Sequence, residues 1–271
     1  MSLALGALGR LTVATPQAAS ALSPQTDLAT LVENDHMPNP PACSISAIAP
    51  PDQFPDPACA SRPNIAPKVA VLGDSYADSW QALGWAIGQK RDLSAIDYFR
   101  SGCPVFLSRF GQDRSIRDTI CSNYNARLVA RVAGFDSIVI AVRWDARALA
   151  VDEEGLRSTL AALAPAVRKI YVLGPSPVLP ERVPKCIRAN RIDACTISRK
   201  AFEETAAPAR AMLVSLTQRY PNVEYVELGD FLCTQDSCPA IKDGVVLYAD
   251  QNHVTYSAAK KFAAGFVQAM K

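Results

Sequence analysis

The chain predicts an α/β fold, a five-stranded parallel sheet covered by helices on both faces, behind an irregular Pro-rich N-terminal extension. Two observations carry that expectation. From Lys68 onward, short apolar runs alternate with helix-like segments, the pattern of a doubly covered parallel sheet. Before that point prolines cluster at Pro38, Pro40, Pro41, Pro50, Pro51, Pro55, Pro57, Pro63 and Pro67, with little periodic patterning between them.

In chain order, residues 1–66 read as an extended wrap or linker, because prolines break helices and central strands. Residues 67–271 are expected to form the second unit, the one that carries the alternating pattern. Its first strand, 68–73, is the run Val69-Ala70-Val71-Leu72, which ends abruptly at Gly73-Asp74-Ser75. Further strands are expected at 94–99, 136–142, 168–173 and 223–228. Helices are expected at 77–89, 123–133, 153–164, 198–219 and 256–270. Right-handed crossovers then place sites at the carboxyl ends of the strands, where Ser75 falls.

Composition excludes several classes. The chain has 271 residues, 49% hydrophobic and 20% charged, ordinary for a globular protein with a full core. A net charge of +2 is too small to argue for nucleic acid or an anionic membrane surface. No uninterrupted apolar stretch reaches the roughly 18 residues of a membrane span, so the chain as given reads as soluble.

Eight cysteines stand at Cys43, Cys59, Cys103, Cys121, Cys186, Cys195, Cys233 and Cys238. They fall into four consecutive local couples, although eight cysteines permit about 105 pairings and sequence does not choose among them. There is no Cys-x-x-Cys, and His36 and His253 are the only histidines, so disulfides are favoured over metal. Disulfides imply an oxidising compartment, here the periplasm or outer surface. The start is a poor export signal: the apolar patch Leu3 to Leu8 is short and no basic residue precedes it. The expectation is that something upstream carries this segment across a membrane.

Two motifs carry chemistry. Ser75 stands where a buried strand delivers a hydroxyl to a helix start, with Gly73 permitting the sharp exit. Asp74 or Ser75 in the same place also serves as a helix cap. Near the other end, Asp250 and His253 lie three residues apart ahead of the last helix. Serine, imidazole and carboxylate are the parts of a nucleophile, its base and the group that orients the base. His36 lies in the Pro-rich segment and reads as incidental.

With these residues in view, the chain resembles the SGNH (GDSL-like) hydrolase superfamily over roughly residues 67–271. Ser101-Gly102-Cys103-Pro104, Arg143-Trp144, Gly174-Pro175-x-Pro177 and Leu247-Tyr248-x-Asp250-x-x-His253 look more narrowly like the SGNH domain fused to membrane O-acyltransferases. The resemblance implies a flavodoxin-like three-layer sandwich with Ser75, Asp250 and His253 as the triad and Gly102 as an oxyanion donor. It implies a periplasmic location, with a membrane acyltransferase domain or subunit as partner. One departure stands out. Where the superfamily supplies Gly-x-Asn, this chain has Ala141-Val142-Arg143-Trp144-Asp145. Losing one oxyanion donor costs about 2.7–4 kcal/mol in the barrier. Either Arg143 or a backbone amide substitutes, or the oxyanion hole has only two donors; Arg143 and Asp74 are candidate contacts for oxyanion or substrate. Trp144 is either core packing or a sugar platform.

The expected function is acyl transfer, acetyl foremost, to an exported glycan through acyl-Ser75, without cofactor or metal. A carbohydrate esterase using the same triad is the alternative. A non-catalytic glycan-binding module is another, and it requires the three triad side chains to lie out of hydrogen-bonding reach.

Overall fold

The computed structural model describes residues 24–37, 43–107, 116–144 and 149–270. Five strands build the central sheet: β1 (Pro67–Gly73), β2 (Ser94–Phe99), β3 (Ser137–Ala141), β4 (Lys169–Leu173) and β5 (Val223–Val226). All pair in parallel, in the order β2-β1-β3-β4-β5. Each expected strand is present, its ends within two residues of the sequence reading.

Side chains alternate across the sheet because the strand period is two. Val69 and Val71 of β1, Val139 of β3 and Tyr171 of β4 join one core with α2 (Ser75–Ser79), α3 (Gln81–Lys90) and α9 (Tyr256–Ala269). Ala70, Leu72, Ile138, Ile140, Ile170 and Val172 join a second core with α4 (Ile116–Arg131) and α5 (Leu149–Leu163). Helix α7 (Arg199–Thr217) reaches both, Phe202 entering the first and Leu213 and Leu216 the second. Three layers around one sheet result, as the α/β expectation required.

The segment ahead of β1 holds more regular structure than its prolines suggest. Helix α1 (Pro24–Glu33) buries Ala29 and Val32 in the first core, and Arg188 of α6 (Val183–Arg188) bonds Glu33. The reason is positional: the proline cluster begins at Pro38, after this helix. Residues 43–66 hold no strand or long helix, but they are anchored. Arg100, fully buried, donates to the carbonyls of Ala49, Pro50 and Gln53 at 2.7–2.9 Å and stacks over the Tyr124 ring. The Ser61 hydroxyl accepts from the Ala95 amide of β2.

The eight cysteines pair as the four local couples, Cys43–Cys59, Cys103–Cys121, Cys186–Cys195 and Cys233–Cys238. Among the described residues, no helix is long and apolar enough to cross a membrane.

Candidate active site

Strand β1 ends by running hard against β3. A Cβ added at Gly73 would lie 1.8 Å from the Ala141 carbonyl oxygen, so only glycine allows this approach. The chain turns there into α2, which Asp74 caps by accepting the Tyr76 amide at 2.9 Å. Ser75 thereby stands half-buried at the carboxyl edge of the sheet.

Asp250 and His253 sit on a short hairpin. Tyr248 and Val254 form an antiparallel bridge, and the Ala249 amide donates to the His253 carbonyl. Inside the turn, Asp250 Oδ1 accepts the amides of Asn252 and His253, each at 2.9 Å. That Asx-type turn explains the spacing of three residues, because it swings the imidazole back over the carboxylate. Asp250 Oδ2 is 2.7 Å from His253 Nδ1, and His253 Nε2 is 2.9 Å from Ser75 Oγ. Thr255 then caps α9, accepting from the Ala258 amide.

Electrostatics fit a charged carboxylate beside the ring. Burial opposes ionisation of Asp250, but the His253 imidazole and the two amides outweigh it and hold the carboxyl well below its usual range. The imidazole is thus oriented with Nδ1–H toward Asp250, leaving Nε2 to accept from the serine hydroxyl. Such a geometry is able to pass a proton from hydroxyl to imidazole.

The remaining sequence-predicted residues distribute differently. Asp74 is only 6% exposed; besides capping α2, its Oδ2 accepts the Arg143 amide at 3.1 Å. That bond clips the loop after β3 to the turn that carries Ser75, and it occupies the Arg143 amide, one of the groups expected to replace the absent asparagine. Asp145 lies outside the described residues. Gly102 follows β2 with φ of +67°, favourable to glycine, and is exposed beneath Arg117, whose Nη2 donates to the Ser101 carbonyl. Trp144 is partly buried: its Nε1 donates to the Leu173 carbonyl at 2.8 Å and its ring leans on Phe106. His36 is exposed, at the end of the segment following α1.

Tyr76 is a further residue beside the site. Its ring lies 5.1 Å from the His253 ring, and it lines a cavity of about 340 Å³ together with Arg143, Trp144, Ser176, Val178 and Phe202. Nothing in the motif singled it out, since an aromatic after the serine also reads as core. A larger cavity of about 770 Å³ lies away from Ser75, His253 and Asp250, between α3 and α9. Among the described residues no group of three or more His, Cys, Asp or Glu is placed to hold a metal ion.

A doubly covered parallel sheet with this hydroxyl–imidazole–carboxylate series at its carboxyl edge defines the class of SGNH hydrolase-like α/β proteins. The family model described as "SGNH domain (fused to AT3 domains)" matches residues 42–268, and the chain belongs to that family. Among solved structures, the periplasmic domain of a lipopolysaccharide acetyltransferase from Salmonella ser. Paratyphi A is similar at a TM-score of 0.55 and 17% identity, covering 90% of this chain and 94% of that one. A Streptococcus pneumonia protein, provisionally described as a platelet activating factor, is similar at a TM-score of 0.40 and 16% identity, over 75% of this chain and 85% of that one. No curated protein sequence matches the chain.

Proposed function

We propose that this chain transfers an acyl group, acetyl foremost, to a hydroxyl of an exported or cell-envelope glycan through an acyl-Ser75 intermediate. The observation that carries the reading is the unbroken series from Ser75 Oγ through His253 to Asp250, at 2.9 and 2.7 Å. His253 Nε2 takes the serine proton as Oγ attacks the acyl carbonyl, and Asp250 steadies the resulting imidazolium. The amides of Ser75 and Gly102 stabilise the oxyanion. The imidazolium returns its proton to the leaving group. A sugar hydroxyl then gives its proton to His253, attacks the acyl carbonyl and leaves as the new ester, restoring the serine.

Family membership supports the choice of donor, because these SGNH domains are described as fused to AT3 domains. We assign the donor to a membrane acyltransferase domain or subunit, and the site of action to the periplasm. Four disulfides among the described residues agree with an oxidising compartment. The Salmonella structural neighbour, itself a periplasmic acetyltransferase domain, is consistent with this location and chemistry. The binding-module alternative needs the three side chains apart, and their distances count against it. An esterase would use the same series with water as acceptor.

The test is pre-steady-state reaction with p-nitrophenyl acetate. The wild-type protein should release a burst of nitrophenol and Ser75→Ala should release none. A burst of equal size in the variant would remove Ser75 from the reaction.

A further inference from the structure

The cavity beside the triad has a composition that the transfer reaction alone does not require. Its walls come from the turn after β1 (Tyr76), the loop after β3 (Arg143, Trp144), the loop after β4 (Ser176, Val178) and the start of α7 (Phe202). All four lie at the carboxyl edge of the sheet, and Tyr76 is the residue following Ser75. Its volume, about 340 Å³, lies within the range of small-molecule sites and is far larger than an acetyl group needs.

Among the described residues, the cavity lining contains one charged side chain, Arg143, and no acidic one. No carboxylate among the described residues makes an ion pair with Arg143; the Asp74 bond goes to its backbone amide. Arg143 is itself exposed, and its charge opposes the upward push that burial gives the Tyr76 phenol. Beside it, Trp144 is tethered through Nε1 to the Leu173 carbonyl, which fixes the indole plane. A guanidinium that pairs with no carboxylate among the described residues, next to the tethered Trp144 indole, matches a pyranose ring bearing a carboxylate. The rings cover the apolar sugar face and the planar fork takes the acid in two parallel hydrogen bonds.

We propose that this cavity is the acceptor subsite and that Arg143 selects an acidic sugar, a uronic-acid-type residue, as the acyl acceptor. The inference rests on the acyl-transfer reading above and names its acceptor class. Arg143 acts here through substrate binding, and the asparagine missing from this loop leaves its place to a specificity contact.

The test separates this inference from the reaction itself by measuring binding to Ser75→Ala protein, which cannot turn over. Calorimetric titration with methyl glucuronide, methyl glucoside and succinate should show the glucuronide binding at least tenfold tighter than either of the others. Adding Arg143→Gln should abolish that advantage, and Arg143→Lys should retain part of it. Equal binding of glucuronide and glucoside would overturn the proposal, as would an advantage that survives Arg143→Gln. Succinate binding as tightly as the glucuronide would also overturn it, by making the cavity a pocket for an acidic acyl group. Loss of the wild-type nitrophenol burst would instead strike at the reaction, whichever sugar binds.

Discussion

Single residues set the chemistry by where their charge is permitted. Asp250 keeps its charge beside His253 because three donors converge on it, one ring nitrogen and two amides. Asp250→Asn preserves the shape but reverses the hydrogen-bond roles at Nδ1. The nitrophenol burst rate should then fall by about 10³–10⁴-fold with little change in folding, as loss of an orienting carboxylate does in other triads. Stopped-flow absorbance and far-UV circular dichroism check the two halves. Asp97 is the opposite case, a carboxyl on β2 with 8% exposure. Burial, reinforced by the neighbouring Asp78 charge, pushes its pKa up to about 8. Folding therefore favours the protonated acid. Its contribution is full below the unfolded pKa near 4, declines as pH rises, and is lost above about 8. Urea unfolding should show Asp97→Asn gaining stability relative to wild type between pH 5 and pH 9. A difference independent of pH would contradict this.

At the scale of elements, the legibility of the sequence follows the strength of local signals. Strands β1, β3 and β4 read correctly because each is an apolar run stopped by polar or glycine residues, as Val69–Leu72 is by Gly73. The Asp250–His253 spacing was legible because one Asx turn fixes it locally. The Asp74–Arg143 clip was not, since its partners are 69 residues apart and meet only when β1 and β3 pair. Helix α4 begins several residues before the expected start, in a stretch with weak apolar periodicity held at Cys121 by the bond to Cys103. The two-residue pairings of Ile197–Ser198 with Ser237–Cys238 and of Ile241–Lys242 with Val245–Val246 are too short to show any period. Anchoring of the Pro-rich segment was likewise hidden, because it depends on Arg100 from the far end of β2. Arg100→Met leaves three carbonyls without their donor, and one unsatisfied buried polar group costs about 1–3 kcal/mol. Denaturant unfolding should show a loss of about 2 kcal/mol or more, and limited proteolysis should cut faster within residues 49–53.

Across the whole molecule, two cores on one sheet are supplemented by covalent staples outside the sheet. The four bridges close short stretches, the longest joining residues 18 apart in sequence. A bridge closing a loop of about 15 residues stabilises by about 3 kcal/mol in the chain-entropy account. Thiol titration of denatured, unreduced protein should find almost no free thiol, and prior reduction should lower the thermal midpoint by several degrees. Finding most thiols free would remove the oxidising compartment, and with it the periplasmic setting proposed for the reaction. The staples also bear on the site: Cys103 follows Gly102 directly, so the loop carrying that amide is tied to α4.

The central claim is that Ser75 carries the acyl group between donor and acceptor, and mass spectrometry of the quenched protein tests it most directly. After brief exposure to p-nitrophenyl acetate, one acetyl group should be found on the peptide containing Ser75, and a glycan acceptor should discharge it faster than buffer alone, leaving acetylated sugar. An acetyl group found elsewhere in the chain, or no adduct while nitrophenol is still released, would contradict the account.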